Sequence, residues 1–226
     1  MKVRTEARRE AILEVASQVF LEFGYERASM AEIVKRIGGS KSTIYGYFAS
    51  KEELFLAVTE AAGDRHMATA LAEIAEYRGG DLEARLTRFA EKLTAFLTSD
   101  ESVSAHRMVL GAAGHSDMGR MFYDVGPQRG MAVMTEMFRQ AVELGELRRE
   151  DPGLLAQYFG ALVNAEHYHR WFHRDLPPPS RLQIKRAARR AVDVFLRAYA
   201  PAGAPPAPSA RKEAGPPEPP ERGERP

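Results

Sequence analysis

Apolar residues recur at helical spacing over most of the chain, and this periodicity is the feature that most restricts the fold. In the first such segment, Ile12, Ala16, Val19, Phe20 and Phe23 fall on one face of a helix. The 226 residues contain no alternating polar and apolar runs and no Asn-Gly or Asp-Gly hairpin signal. The sequence therefore predicts an all-α fold.

Glycines and capping residues divide the first part of the chain into short helices. Gly24 is expected to end the first helix. Ser29 with Glu32, and Ser50 with Glu53, have the spacing of a capping box, in which side chain and backbone cap each other reciprocally. We therefore predict three short helices and the start of a longer fourth helix within residues 1–57.

Longer helices are expected from residue 58 to residue 200, because the same periodicity continues between new breaks. Pro127, Gly145 and the run Pro177-Pro178-Pro179 interrupt it, and Asp151-Pro152 has the signature of a helix start. The predicted helices lie near 82–97, 102–113, 118–125, 128–144, 152–173 and 180–199.

The last segment, 201–226, differs in composition from everything before it. Nine of its 26 residues are proline, and its only other nonpolar side chains are those of alanine. Such a segment cannot bury enough apolar area to offset its chain entropy. We predict a disordered tail, with a ligand for a proline-binding module as the alternative.

Composition excludes several classes of site. The chain has no cysteine, which rules out disulfides, thiol catalysis and cysteine-ligated metals. It has no unbroken stretch of about 20 apolar residues, as a membrane span needs, and no apolar signal segment at its start. We find no phosphate-binding glycine loop or dinucleotide fingerprint. The expectation is a cytoplasmic protein with no cofactor and no membrane partner.

The segment 30–55 is the most informative about function. Two short helices joined by the tight turn Gly38-Gly39 are typical of a helix-turn-helix, which places its second helix in the major groove of DNA. Residues 40–48 offer hydroxyls, one ammonium and two tyrosines, which suit contacts to bases and phosphates. Charge supports this weakly, with nine basic against six acidic residues up to Lys51. Ile44 and Phe48 are expected in the core, and Tyr45 or Tyr47 packing there remains an alternative.

The same segment resembles the tetracycline-repressor (TetR) family of bacterial regulators. The resemblance is carried by Phe23-Gly24-Tyr25, Ser29-Met30, Ile33, Gly38, Ser40 to Phe48, and Ser50 to Phe55. The sequence departs from the family pattern at Gly39, where valine or a similar residue is usual, and at Ser42, where glycine is common. The region from Gly145 to Pro152 and the last two helices resemble the subgroup with an AefR-like sensor domain.

The resemblance implies a homodimeric, ligand-responsive regulator that binds a double-stranded DNA operator and is most often a repressor. The resemblance further implies that the regulator is cytoplasmic and lies at the nucleoid when it is bound to DNA. It implies a helix-turn-helix domain in residues 1–57 and a ligand-binding and dimerisation domain in residues 58–200. By position, the DNA-binding residues are Ser29, Ser40, Lys41, Ser42, Thr43, Tyr45, Tyr47 and Lys51. Activation of transcription, or a sensor that has lost its ligand, stays open.

A small-molecule effector is expected in the methionine-rich part of the second domain. Six of the nine methionines lie between Met108 and Met137, and methionine adapts to irregular apolar shapes. The candidate effector contacts are Met108, Met118, Met121, Phe122, Met134 and Phe138. An ordinary core with flexible fillers is the alternative.

The resemblance also implies that the last two helices pair with their copies in a four-helix bundle. The candidate interface residues form apolar stripes: Leu155, Phe159, Leu162, Tyr168, Phe172, Ala188 and Phe195. Packing within one chain is the alternative interpretation of these stripes.

One pattern points to another class of protein. Glu166, His169 and His173 would share one face if the helix continued, as in the metal sites of helical bundles. A second Glu-x-x-His, which a di-iron site requires, does not occur in the sequence. A helical-bundle metalloenzyme is therefore only the alternative to a regulator.

Overall fold

The computed structural model describes residues 5–114, 116–173 and 176–201. Over this part of the chain it contains ten α-helices, one 3₁₀ turn and no strand, as the apolar periodicity predicts. The helices are α1 (Glu6–Arg27), α2 (Met30–Ile37), α3 (Lys41–Tyr47), α4 (Lys51–Ala75), α5 (Leu82–Leu97), α6 (Asp100–Ala112), α7 (Met118–Val125), α8 (Pro127–Glu143), α9 (Pro152–Asn164) and α10 (Arg181–Tyr199). The 3₁₀ turn is Tyr168–Trp171. The predicted disordered tail is 201–226, and its residues 202–226 lie outside the described part of the chain.

Side-chain caps fix most of the helix starts. Ser29, Ser50 and Ser180 each accept a hydrogen bond from the backbone N–H three residues on. Only Ser180 forms a full capping box, because Gln183 also bonds back to its backbone. The Glu53 carboxylate instead accepts from Ala49 N at 2.7 Å, and Glu32 binds Arg36 at 2.8 Å. Both predicted capping boxes are therefore serine caps alone.

The chain departs from the predicted helix ends at two places. Gly24 breaks the regular geometry of α1 with φ 72°, but the helix resumes and runs to Arg27. The helix that starts at Asp151 was predicted to reach His173, yet α9 ends at Asn164 and a 3₁₀ turn follows.

Two buried apolar clusters organise the molecule. The N-terminal cluster joins α1 to α4 around Ile12, Ile33, Ile44 and Leu54, and it extends to Ala105 and Val109 of α6 and Met118 of α7. The second cluster joins α4, α5, α8, α9 and α10 around Phe138, Phe159 and Phe195. Helix α4 contributes to both clusters, so it connects the two halves of the molecule.

Candidate functional sites

The turn between α2 and α3 needs glycine at both of its positions. Gly38 has φ 67° and Gly39 has φ 130°, values that side chains with a Cβ rarely adopt. A Cβ on Gly39 would also lie 3.1 Å from Nη2 of Arg8. That guanidinium donates to Gly38 O at 2.6 Å, and this bond ties the turn to α1. Glycine is unusual at position 39 in the pattern that the sequence resembles, but it fits the backbone of this turn.

Helix α3 presents a polar face outward and an apolar face inward. Ile44 and the following Phe48 are 1% and 3% exposed, which confirms their predicted place in the core. Lys41, Ser42 and Tyr45 are exposed, and the Lys41 ammonium lies 6.0 Å from the centre of the Tyr45 ring. These three side chains form the exposed face of α3.

Two of the predicted contact residues also cap helices. Ser29 Oγ accepts from Glu32 N at 3.1 Å, and Ser40 Oγ accepts from Thr43 N at 3.2 Å. Ser40 Oγ also lies 2.9 Å from the Thr43 hydroxyl. Removing Ser40 would therefore disturb the start of α3 as well as any contact that it makes with DNA.

Tyr47 and Lys51 hold α3 and α4 against α1. The Tyr47 hydroxyl accepts from Thr5 N at 2.9 Å. The Lys51 ammonium donates to Tyr25 O at 3.0 Å and to Ala28 O at 3.3 Å, and it lies 4.1 Å from the Tyr25 ring centre. A lysine ammonium has three N–H donors, and these two bonds use two of them.

An apolar cavity of about 310 Å³ lies between the two halves of the molecule. Helix α1 contributes Phe20, and α4 contributes Phe55 and Met67. The walls are completed by residues of α5 to α9 and by Trp171 of the 3₁₀ turn. The cavity is thus lined by helices that also build the N-terminal cluster.

The methionine-rich segment supplies only part of this cavity. Of the six predicted effector contacts, Phe122 and Met134 line it. The other four do not line it: Met108 and Met118 pack into the N-terminal cluster, Phe138 is fully buried in the second cluster, and Met121 is 39% exposed. Seven further apolar residues line the cavity and were not predicted from the sequence: Phe20, Phe55, Met67, Phe89, Phe96, Met131 and Trp171.

Arg107 holds the backbone of the 3₁₀ turn that places Trp171 in the cavity wall. Its guanidinium donates to Arg170 O at 2.7 Å and to Trp171 O at 3.3 Å, and it also bonds His173 O. Arg170, 7% exposed, donates to Pro177 O at 2.5 Å and Leu176 O at 3.1 Å. The bonds of Arg107 and Arg170 give these backbone carbonyls partners outside a helix, so the 3₁₀ turn and the segment after it leave them satisfied.

Most of the predicted dimer residues belong to the interior of one chain. Leu155, Phe159, Ala188 and Phe195 are each 0% exposed, so no partner can bury them further and this part of the prediction was wrong. Leu162 is half-buried, and Tyr168 and Phe172 are 52% and 69% exposed. The large apolar side chains of α9 and α10 that are exposed are instead Leu154, Tyr158, Leu182 and Val194.

The proposed helical metal face does not form. Glu166, His169 and His173 all follow the end of α9, so they do not share one helical face. The Glu166 carboxylate binds Arg190 through two bonds of 2.7 and 2.6 Å, which lower its pKa. Among the described residues, no group of three or more His, Asp or Glu side chains is arranged to hold a metal ion. Within the same residues, no helix is both long and apolar enough to cross a bilayer.

Family models match both halves of the chain. Residues 12–58 match the model for bacterial regulatory proteins of the tetR family. Residues 84–201 match the model for the C-terminal domain of AefR-like transcriptional repressors.

Individual relatives are transcriptional regulators as well. The repressor AcnR of Corynebacterium efficiens is 31% identical over 133 residues, which cover 52% of this chain and 70% of that protein. YfiR of Bacillus subtilis is 25% identical over 175 residues, which cover 84% of that protein. Three other curated regulators match over shorter stretches, and the chain spans 24–34% of their length.

Solved structures share the whole fold. A TetR-family regulator from Mesorhizobium loti is similar with a TM-score of 0.76 and 25% identity, over 88% of this chain and all of the other. The flavonoid-responsive regulator FrrA is similar with a TM-score of 0.66 and 25% identity over the same shares.

Proposed function

The chain belongs to the TetR family of bacterial transcriptional regulators, and from that premise we propose that it is a homodimeric repressor released from its operator by a small apolar effector. It is a DNA-binding regulator and not an enzyme. Repression, ligand response and dimerisation are the proposal. The observation that carries it is the cavity, because α1 and α4 line it and also hold the DNA-binding helices in place.

The exposed face of α3 is the proposed reading surface. With α3 in the major groove, Lys41, Ser42 and Tyr45 face the DNA, and Thr43 stands beside them at the start of the helix. The remaining donor of Lys51 is proposed to bind a phosphate. Because Tyr47 and Lys51 also anchor these helices to α1, a shift of α1 or α4 would move the reading surface.

A second copy is proposed to cover the exposed apolar face of α9 and α10. Leu154, Tyr158 and Val194 are 38%, 48% and 48% exposed, which is unusual for apolar side chains on neighbouring helices. Pairing of these helices with their copies would bury this face in a four-helix bundle. The two α3 helices would then contact half-sites about one helical turn, ~34–36 Å, apart.

Release follows if the effector and the operator favour different spacings of the α3 helices. A ligand that fills the cavity presses on α1 and α4 directly. A preference of about 1–3 kcal/mol for the mismatched spacing would weaken operator binding about 5- to 150-fold. The similarity to the flavonoid-responsive regulator FrrA supports a small-molecule effector.

Two substitutions separate base reading from phosphate contact. We expect Thr43→Ala to reduce the preference for operator over random DNA about tenfold, since base contacts carry about 1–3 kcal/mol of discrimination. We expect Lys51→Ala to weaken binding to both DNAs alike and to lower the salt dependence by about one unit, since one phosphate contact is lost. The measurement is binding to an operator selected from a random DNA pool, at several salt concentrations.

Lys92→Ala is the control. Lys92 pairs with Glu73 in the ligand-binding domain, so its removal should leave DNA binding unchanged. Circular dichroism checks the fold of the Lys51 variant, which also loses two bonds to backbone carbonyls. If Thr43→Ala and Lys51→Ala each weaken binding to operator and to random DNA by the same factor, then base reading by Thr43 and phosphate contact by Lys51 are wrongly assigned. If no operator can be selected at all, the proposed DNA-binding function fails.

A further inference from the structure

One imidazole, that of His106, stands in the wall of the cavity. Its ring stacks on Trp171, with ring centroids 4.6 Å apart and planes at 8°, and it meets the Phe122 ring edge-on at 5.4 Å. Nδ1 of His106 lies 2.7 Å from the carbonyl oxygen of Ser102. The ring is thus fixed in orientation by two aromatic side chains and one hydrogen bond.

The hydrogen bond to Ser102 determines which nitrogen carries the proton. A carbonyl oxygen only accepts, so Nδ1 must donate and Nε2 of the neutral ring is an acceptor. Burial lowers the pKa of His106 below its ordinary value of 6.5, so the neutral form predominates at pH 7. No group among the described residues forms a hydrogen bond with Nε2. Since His106 lines the cavity, this acceptor is left for a ligand.

The charges around the cavity disfavour an anionic ligand. The described lining residues include three acids, Glu60, Asp64 and Glu101, and one cationic side chain, Arg129. Arg129 lies 3.4 Å from Asp64, and both are more than half exposed. Glu101 lies 3.5 Å from Arg65, so a carboxylate ligand would find no unpaired cation among the described lining residues and one acid, Glu60, without an ion pair.

We propose that the effector is a neutral phenol, whose hydroxyl donates to Nε2 of His106 while its apolar body packs among the phenylalanines and methionines of the cavity. The inference rests on the proposed function in one respect, that this cavity is the effector site. It adds the chemical class of the ligand and the residue that selects it. A hydroxyl that both fits the cavity and donates to the acceptor in its wall is favoured over an ether of the same shape, which leaves that acceptor unpaired.

Three matched probes test the class by calorimetric titration: 4-butylphenol, 4-butylanisole and 4-butylbenzoate. We expect the phenol to bind about tenfold more tightly than the anisole, which cannot donate. The benzoate should bind more weakly than either. Trp171 is the single tryptophan of the chain, so a change in its fluorescence reports that the probe occupies this cavity and not another part of the surface.

A substitution at His106 tests the residue. His106→Phe keeps a ring to stack on Trp171 and removes the acceptor, so we expect affinity for the phenol to fall about tenfold while affinity for the anisole stays within about twofold. His169→Phe is the matched control, because His169 is exposed and lies outside the cavity wall. If His106→Phe does not fold, the comparison of probes on the unchanged protein still decides.

The outcomes separate this inference from the proposed function. Equal affinity for phenol and anisole, tighter binding of the benzoate, or no binding of any probe overturns the inference. If the phenol is preferred and loses that preference in His106→Phe, the inference stands. An operator affinity that does not change when the phenol is bound then contradicts the proposed ligand response alone.

Discussion

Gly63→Leu should abolish the response to a ligand while leaving operator binding intact. Gly63 lies within α4 and lines the cavity, and a Cβ built on it meets no heavy atom within 4 Å. A leucine side chain there would occupy the space that the ligand needs and would also favour the helix by up to about 1 kcal/mol. We expect 4-butylphenol to weaken operator binding about 5- to 150-fold in the unchanged protein and not measurably in the variant.

Gly111→Leu provides the control for this experiment. Gly111 is also a helical glycine with open space at its Cβ, but it is exposed on α6 and does not line the cavity. Its variant should keep the full response. A Gly63→Leu protein that still releases operator when the phenol is added would show that the ligand acts from a different site.

Phe159→Ala should cost about 3–5 kcal/mol of unfolding free energy, as large-to-small changes at buried aromatics do. The Phe159 ring lies 5.1 Å from that of Phe195 and 5.7 Å from that of Phe138, and it is 0% exposed.

The neighbouring residue in the sequence, Tyr158, is 48% exposed, and its ring stacks on that of Tyr199 with the centroids 6.3 Å apart. We expect Tyr158→Ala to keep the helical content and to shift the dimer toward monomer.

Urea unfolding and sedimentation at a fixed protein concentration distinguish the two variants, because dimer stability depends on concentration. The opposite pattern would restore the interface predicted from the sequence. In that case Phe159→Ala would give a folded monomer, and Tyr158→Ala would remain a dimer of unchanged stability.

The local parts of the fold were predictable from the sequence. Helix α7 has the predicted bounds, and α5, α9 and α10 start within one residue of the predicted positions 82, 152 and 180, capped by Asp81, Asp151 and Ser180. These features depend on single residues and their near neighbours, such as a side chain that caps the backbone three positions on. The helix-turn-helix belongs to the same class, since its turn is set by two adjacent glycines.

The features that depend on distant contacts were not predictable in the same way. The end of α9 has no glycine or proline to mark it, and the 3₁₀ turn that replaces the helix is held by Arg107 from α6. Both α9 and α10 carry apolar residues on more than one face, so periodicity could not separate Phe159 from Tyr158. The cavity arises where seven helices fail to fill space, and counting methionines in one segment could not locate it.

In the proposed function, the filled cavity and the operator-bound state oppose each other. Calorimetric titration of 4-butylphenol into the protein, alone and with saturating operator, measures this opposition. Linkage requires that operator weaken binding of the phenol by the same factor by which the phenol weakens binding of the operator, about 5- to 150-fold. An affinity for the phenol that is equal with and without operator would contradict the account, however tightly the phenol binds.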